Sequence, residues 1–517
     1  MTNTKTIARN TGWYGLENII SAIVTLITSI AIGRYLGPLK NGYIVYISYI
    51  ASLVSSLGSV GIPATTRKYM AEFIGMGDRG TARYIYFRTL LLQTGLATLA
   101  TGGFLFWVLG DAQGDYKLAS ALLVLSIWPS MVNSISAQAN AATEDMSANM
   151  PASVFSAIVY LVAIGATLVL HWGVVGVGVS LLSMRAVDLL VRFFPTIKRV
   201  RAWDTTHAHP PGLRKRMMTF AWKSVASMTV ALVVWGRPEL ILLKKLCADI
   251  QQVSYYSAAF SMAGQLLIGA TIFGSASSTT IFAQYGRDKS RLPAITASTF
   301  RYPALVSIPL HLIWTSLAVP ALLLLYGHKW EGAAVVVTMA PLMCLSKAFL
   351  TPAQSLLESS ERQSYVIAAT VVAAIVDLGV AWCLIPAHGA VGACIGNGAA
   401  QAVAVGMMWV AVLYLFKVKL PWRQVAKITS ISVLAALTAH YVAVPLAPLW
   451  ALLCGGCAAL IVLFGLVYLM RVLEPEDHNR FKILTEMLPK PIARPAGQLL
   501  SLLIHSVNLI PVPAKES

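Results

Sequence analysis

Apolar runs of about 20 residues recur along most of the chain, each as long as a helix must be to cross a bilayer. They fall at 14–33, 42–62, 85–109, 118–140, 150–170, 174–194, 218–243, 254–280, 303–325, 332–356, 364–385, 389–415, 428–446 and 449–470. This pattern leaves few folds open. In lipid every backbone N–H and C=O must be bonded inside the protein, so only helices and closed barrels can span. Barrel strands are alternating segments of about ten residues, and these runs do not alternate. The expected fold is therefore an all-α integral membrane protein with about fourteen transmembrane helices. Composition agrees. Of 517 residues 57% are hydrophobic and only 12% charged, with a mean hydropathy of +0.70, against about 25% charged in a soluble domain.

The net charge of +18 could suggest nucleic acid, but its placement points to membrane orientation. With a cytoplasmic N-terminus, 30 of the 39 lysines and arginines fall on the cytoplasmic side and six on the other. Both termini are thus expected in the cytoplasm, and no nucleic-acid partner is needed to explain the charge. The first run is too long for a signal-peptide core and lacks an A-x-A site after it, so a retained helix is expected.

The longest internal loop, "TIKRVRAWDTTHAHPPGLRKRMM" at 195–217, is basic, proline-containing and central. It reads as a linker between similar halves. "GVVGVGVSLLSMRAV" at 173–187 matches "GAVGACIGNGAAQAV" at 389–403 at a shift of 216, and "AQANAATED" at 137–145 meets "AQSLLESSE" at 353–361 at the same shift. Both repeats begin and end on one side, so they are parallel. The expected organisation is two pseudo-symmetric six-helix bundles, at 1–195 and 218–416, joined by a cytoplasmic linker at 196–217. Two extra C-terminal helices follow at 417–470, then a cytoplasmic tail at 471–517 with amphipathic character.

Soluble chemistry is hard to place. The sequence has no metal-ligand spacing, phosphate-binding P-loop or G-x-S-x-G elbow. Its six cysteines form no disulfide framework, and "CGGC" at 454–457 reads as small residues for helix contact. Loops too short to hold a catalytic domain argue against a glycan polymerase or ligase, and against a nucleotide-driven pump. The expected protein is not an enzyme.

What remains is charge at membrane depth, costly by roughly 2.5–3.5 kcal/mol per residue on insertion scales and therefore a functional candidate. Arg237 and Glu239 flank Pro238 inside the seventh run, where proline kinks a helix and frees carbonyls. Lys347 lies near the centre of the tenth run and Asp377 in the eleventh. Glu17 and Arg34 stand at the two ends of the first run. Arg185 and Asp188, three residues apart in the sixth, suit a local ion pair. The cations Arg237, Lys347, Arg34 and Arg185 would line a cavity for an acidic or phosphate-bearing substrate. The acids Glu17, Glu239, Asp377 and Asp188 would serve ion coupling or gating, with H⁺ or Na⁺ as the ion and no other cofactor.

Between the first two runs stands "GRYLGPLKNGY" at 33–43, and the second run ends in "GSVGIPATTRKYMAEF". Gly37 and Pro38 should stop the first helix sharply, and Gly42 should let the second start close by. Arg34, Leu36, Gly37, Pro38, Gly42 and Tyr43, then Gly61, Arg67, Lys68, Ala71 and Glu72, together with "LIPAHGAVGACIG" at 384–396, form an ordered set. That set resembles the polysaccharide-transporter branch of the multidrug/oligosaccharidyl-lipid/polysaccharide (MOP) exporter superfamily. The resemblance implies a flippase that moves an undecaprenyl-pyrophosphate-linked oligosaccharide from the cytoplasmic to the outer leaflet. It would do so by alternating access through a central cationic cavity, with Arg67 and Lys68 at the cytoplasmic entrance. It further implies residence in a bacterial inner membrane as a monomer, with a lipid-linked oligosaccharide, membrane lipids and glycan-polymerase machinery as partners. Alternatives within the superfamily are an H⁺- or Na⁺-coupled multidrug or metabolite antiporter and a lipid II flippase, the latter weakened by a shortage of arginines in helices 1, 2 and 8.

Overall fold

A computed structural model describes residues 4–111, 114–204, 210–287, 290 and 292–473. The expected tail, from 474 on, and the histidines of "HAHPPG" lie outside the described residues. The described residues are almost all helical, with short turns between helices and no strands. In order the helices are α1 (Thr4–Gly58), α2 (Ile62–Gly75), α3 (Arg79–Asp111), α4 (Asp115–Leu125), α5 (Ile127–Ala142), α6 (Met150–Val169), α7 (Gly173–Arg201), α8 (Leu213–Trp235), α9 (Glu239–Leu246) and α10 (Gln251–Leu266). Then come α11 (Ile268–Arg287), α12 (Leu292–Tyr326), α13 (Ala334–Cys344), α14 (Leu350–Ser359), α15 (Gln363–Phe416), α16 (Trp422–Ala443) and α17 (Pro448–Leu469).

Among the described residues, eleven segments are long and apolar enough to cross a membrane, fewer than the fourteen runs. The difference has a local cause. α1 and α15 each contain a non-helical residue, Gly37 (φ 71°) and Gly389 (φ 51°), and each covers two of the expected runs. The turn at 33–43 is therefore tighter than eleven residues, because helix resumes at Pro38. Both breaks use a left-handed conformation that glycine adopts without steric cost. The run at 254–280 is divided between α10 and α11 and is not among the eleven. The linker is shorter than expected too, since α7 continues to Arg201 and α8 starts at Leu213.

The backbone adds to the repeat. Gly173 (φ 57°) and Gly389 (φ 51°), 216 residues apart, share the left-handed region, as do Glu144 (φ 55°) and Glu361 (φ 60°). A positive φ is uncommon for glutamate, so its recurrence near the same spacing reports a repeated turn.

Residue contacts group the chain into two units. The first comprises Met1–Met262, Leu325–Ala333 and Thr370–Ala400. Its helices pack through three apolar clusters, centred on Tyr69, Met70 and Tyr86, on Val124 and Met131, and on Leu123 and Val177. The second comprises Ala263–Leu324, Ala334–Ala369 and Gln401–Ser517. There α16 and α17 meet through Ala435, Ala439, Ala443, Ala451 and Ala459. The small-residue reading of "CGGC" fits this: Gly455 lies against the Ala439 carbonyl, while Cys454 and Cys457 face outward.

Candidate functional site

The site in the first unit is built on a broken helix. A residue before proline is pushed out of the α region, and proline has no N–H to continue the ladder. α8 accordingly ends at Trp235, Gly236 is extended (φ −86°, ψ −147°), and α9 begins at Glu239 with Pro238 as its N-cap. The break puts Glu239 in the first turn of α9, where the helix dipole favours a negative charge.

Glu239 is fully buried. Its Oε2 accepts a 2.9 Å hydrogen bond from the Tyr256 hydroxyl of α10, and its Oε1 a 2.9 Å bond from the Asn397 amide of α15. Asp377, also on α15 and fully buried, lies within hydrogen-bonding reach of the Glu239 carboxyl, and among the described residues no N–H or hydroxyl donates to either of its oxygens. Arg237 turns elsewhere. Its Nη1 donates to Ser257 Oγ at 3.2 Å, and its guanidinium lies 5.3 Å from the centre of the Phe260 ring. The site thus holds two neighbouring buried acids, and a half-buried cation that pairs with neither.

A second network joins four helices of the same unit. Arg192 Nη2 contacts Asp188 Oδ1 at 2.8 Å and Glu17 Oε1 at 3.9 Å. Ser153 donates to Glu17 at 2.5 Å, and Asn133 to the other Asp188 oxygen at 2.6 Å. The expected Arg185–Asp188 pair is not formed. One helical turn brings residues four apart onto the same face, and Arg192 takes that place. Arg192, counted from the sequence among the cytoplasmic-side cations at the end of the sixth run, is buried within α7.

Two contacts near the ends of these helices complete the unit. At the first, a Cβ on Gly42 would stand 2.5 Å from the Ile250 carbonyl. There Asn41 donates to Ser254 Oγ at 3.2 Å, Ser254 donates to the Pro38 carbonyl at 2.6 Å, and the Trp330 indole donates to the Gly33 carbonyl at 3.1 Å. At the second, a Cβ on Gly61 would stand 2.4 Å from the Ala221 carbonyl. Beside it Lys68 Nζ sits 4.1 Å from the Phe220 ring centre, and Arg216 pairs with Glu72 at 2.9 Å.

No family model matches the sequence, and no curated relative does. Among solved structures, the lipid II flippase MurJ in an inward closed conformation superposes with a TM-score of 0.70 at 12% identity, over 88% of this chain and 98% of that one. An inward-facing multidrug-resistance MATE family transporter of the MOP superfamily gives 0.65 at 15% identity, over 76% and 94%. A MOP superfamily transporter from Pyrococcus furiosus gives 0.54 at 17%, over 80% and 96%. The chain shares the fold of these transporters. It is a multi-pass membrane protein on that fold and on its eleven spanning-length helices.

On this fold the sequence-derived residues fall into separate groups. Arg237, Glu239 and Asp377 come together. Glu17 and Asp188 form the other network, with Arg185 half-buried beyond it. Arg34, Arg67 and Lys68 are exposed. Lys347 belongs to the second unit, on a single turn of 3₁₀ helix (Leu345–Phe349) that interrupts the tenth expected helix between α13 and α14. Sequence reasoning missed Arg192, Asn397, Tyr256 and Ser153. Asn397 carried a usable signal, a lone amide in the apolar run "GACIGNGAA"; Tyr256 and Ser153 carried none.

Proposed function

We propose that this chain is a flippase for a lipid-linked oligosaccharide carried on a pyrophosphate, driven by a cation exchanged at Glu239 and Asp377. The observation that carries the reading is the buried acid pair beside Arg237 on a broken helix. Two neighbouring carboxylates in a low-dielectric interior repel and lose their hydration, so one proton or one monovalent cation between them is strongly favoured. The Asn397 carboxamide offers a further neutral ligand or donor. Occupancy of that pair then biases the α8–α9 break, and with it Arg237, whose planar guanidinium suits phosphate oxygens.

The remaining assignments follow the charge pattern. Lys347 supplies a further point charge to the cavity, and Arg67 and Lys68 stand at the cytoplasmic entrance. The two bundles at 1–195 and 218–416 rock about the 196–217 linker, with both termini in the cytoplasm of a bacterial inner membrane. The similarity to MurJ supports a lipid-linked substrate, and the excess of Lys and Arg on the cytoplasmic side supports the orientation.

The test is deletion of the gene followed by lipid analysis and complementation. The expected result is accumulation of undecaprenyl-linked glycan on the cytoplasmic side, reversed by the wild type and not by Arg237→Ala at equal membrane abundance. Unchanged glycolipids with altered drug tolerance would instead mark a multidrug antiporter.

A further inference from the structure

Beyond these sites, the first three turns of α8 present an open face formed by Arg214, Lys215, Met218, Trp222 and Lys223, with Gly212 and Thr219. Its charged residues are all cations. Arg214, Met218 and Trp222 follow one stripe at a spacing of four, with Lys215 and Lys223 alongside. The opposite side of the helix is occupied: Leu213 is buried, and Arg216 is paired with Glu72. Arg214, Lys215 and Lys223 form no ion pair among the described residues. Met218 is 67% and Trp222 69% exposed. In water, two such apolar side chains beside three unpaired cations would be a poor surface. At a membrane interface both halves are satisfied, since indole rings favour the headgroup level and lysine stems reach back to it.

We infer that this face is a binding site for an acidic phospholipid of the leaflet next to the basic loops. Arg214, Lys215 and Lys223 hold its phosphate, and Met218 and Trp222 lie along the start of its acyl chains. A soluble phosphate would leave the Trp222–Met218 stripe uncovered, and a zwitterionic lipid would leave the cations without a counter-charge. The lipid would fix the near end of α8, whose far end leads directly into Gly236 and the Arg237–Glu239 break. The site does not depend on which substrate the protein transports.

Native mass spectrometry of the purified full chain in detergent, titrated with phosphatidylglycerol or phosphatidylcholine, tests this. Phosphatidylglycerol should bind more tightly and weaken as salt rises. Arg214→Gln, Lys215→Gln and Lys223→Gln should each lower its affinity about fivefold, close to what one interfacial cation contributes, with phosphatidylcholine unaffected. Trp222→Ala should weaken both lipids. Arg423→Gln with Lys427→Gln, a pair of cations on α16, should change neither. These single substitutions keep the test open should a variant combining Arg214→Gln, Lys215→Gln and Lys223→Gln fail to fold. Equal phosphatidylglycerol binding by wild type and the single variants would overturn the assignment. So would displacement of the lipid by millimolar inorganic phosphate, which would mark a soluble-anion site.

Discussion

The Gly42 and Gly61 contacts are alike in their backbones and unlike in their side chains. Each brings a glycine against a carbonyl oxygen, Ile250 in one case and Ala221 in the other, at a distance no Cβ would permit. Around Gly42 the polar links are neutral and shielded: Asn41, Ser254 and Trp330 are all buried. Around Gly61 they are charged and wet, with the side chains of the Arg216–Glu72 pair 53% and 24% exposed. Leaving a buried hydrogen-bonding group unpaired costs about 1–3 kcal/mol, whereas an exposed ion pair contributes roughly 0.2–1 kcal/mol and fades with salt. The Gly42 contact is therefore the fixed closure and the Gly61 contact the adjustable one. On the proposed topology the Gly61 contact stands at the cytoplasmic end and should part more readily than the Gly42 contact at the other.

The largest expected effects come from the two glycines. Gly42→Val should separate its contact, since overpacking a tight site costs about 1–3 kcal/mol and the obstacle is backbone. A cysteine at the buried Val253, in a variant lacking the six native cysteines, should then become reactive to an impermeant maleimide. Gly61→Val should do the same for a cysteine at the buried Thr65 and leave position 253 protected. Reactivity at both positions in either variant would mean that the two contacts are not independent.

Next come the buried links. Trp330→Phe removes the donor to the Gly33 carbonyl and keeps most of the ring packing around Tyr326. Labelling at position 253 should rise by about tenfold, toward the lower end of the range for one unsatisfied buried group, and it should not depend on salt. The smallest effect belongs to Glu72→Gln. Labelling at position 65 should rise less than about fivefold at low ionic strength, and the difference from wild type should vanish at about 1 M salt, where the screening length is about 3 Å. A large, salt-independent effect would remove the distinction drawn between the contacts.

These contrasts also show which features the sequence carries on its surface. Helix breaks are local, so Gly37–Pro38 and Arg237–Pro238 announced themselves through proline and glycine chemistry. Buried acids were legible because charge at membrane depth is costly, which singled out Glu239 and Asp377. Their pairing with neutral partners was not. Tyr256 and Asn397 lie 17 and 158 residues from Glu239, and nothing in a local window relates them. Arg192 was hidden for a different reason. An arginine at the end of an apolar run looks like a loop residue until α7 is seen to continue to Arg201. The Asp188 partner was misplaced because positions three and four apart on a helix are near neighbours, and only packing chooses between them.

The account rests on ion-coupled movement of a lipid-linked glycan, and reconstitution measures that directly. In proteoliposomes carrying a short-chain polyprenyl-pyrophosphate oligosaccharide, an imposed proton or Na⁺ gradient should drive the glycan to the opposite leaflet. Glu239→Gln and Asp377→Asn should abolish the dependence on the gradient, and Arg237→Ala should abolish movement altogether. Translocation by the Glu239→Gln/Asp377→Asn variant that still follows the gradient as the wild type does would contradict it.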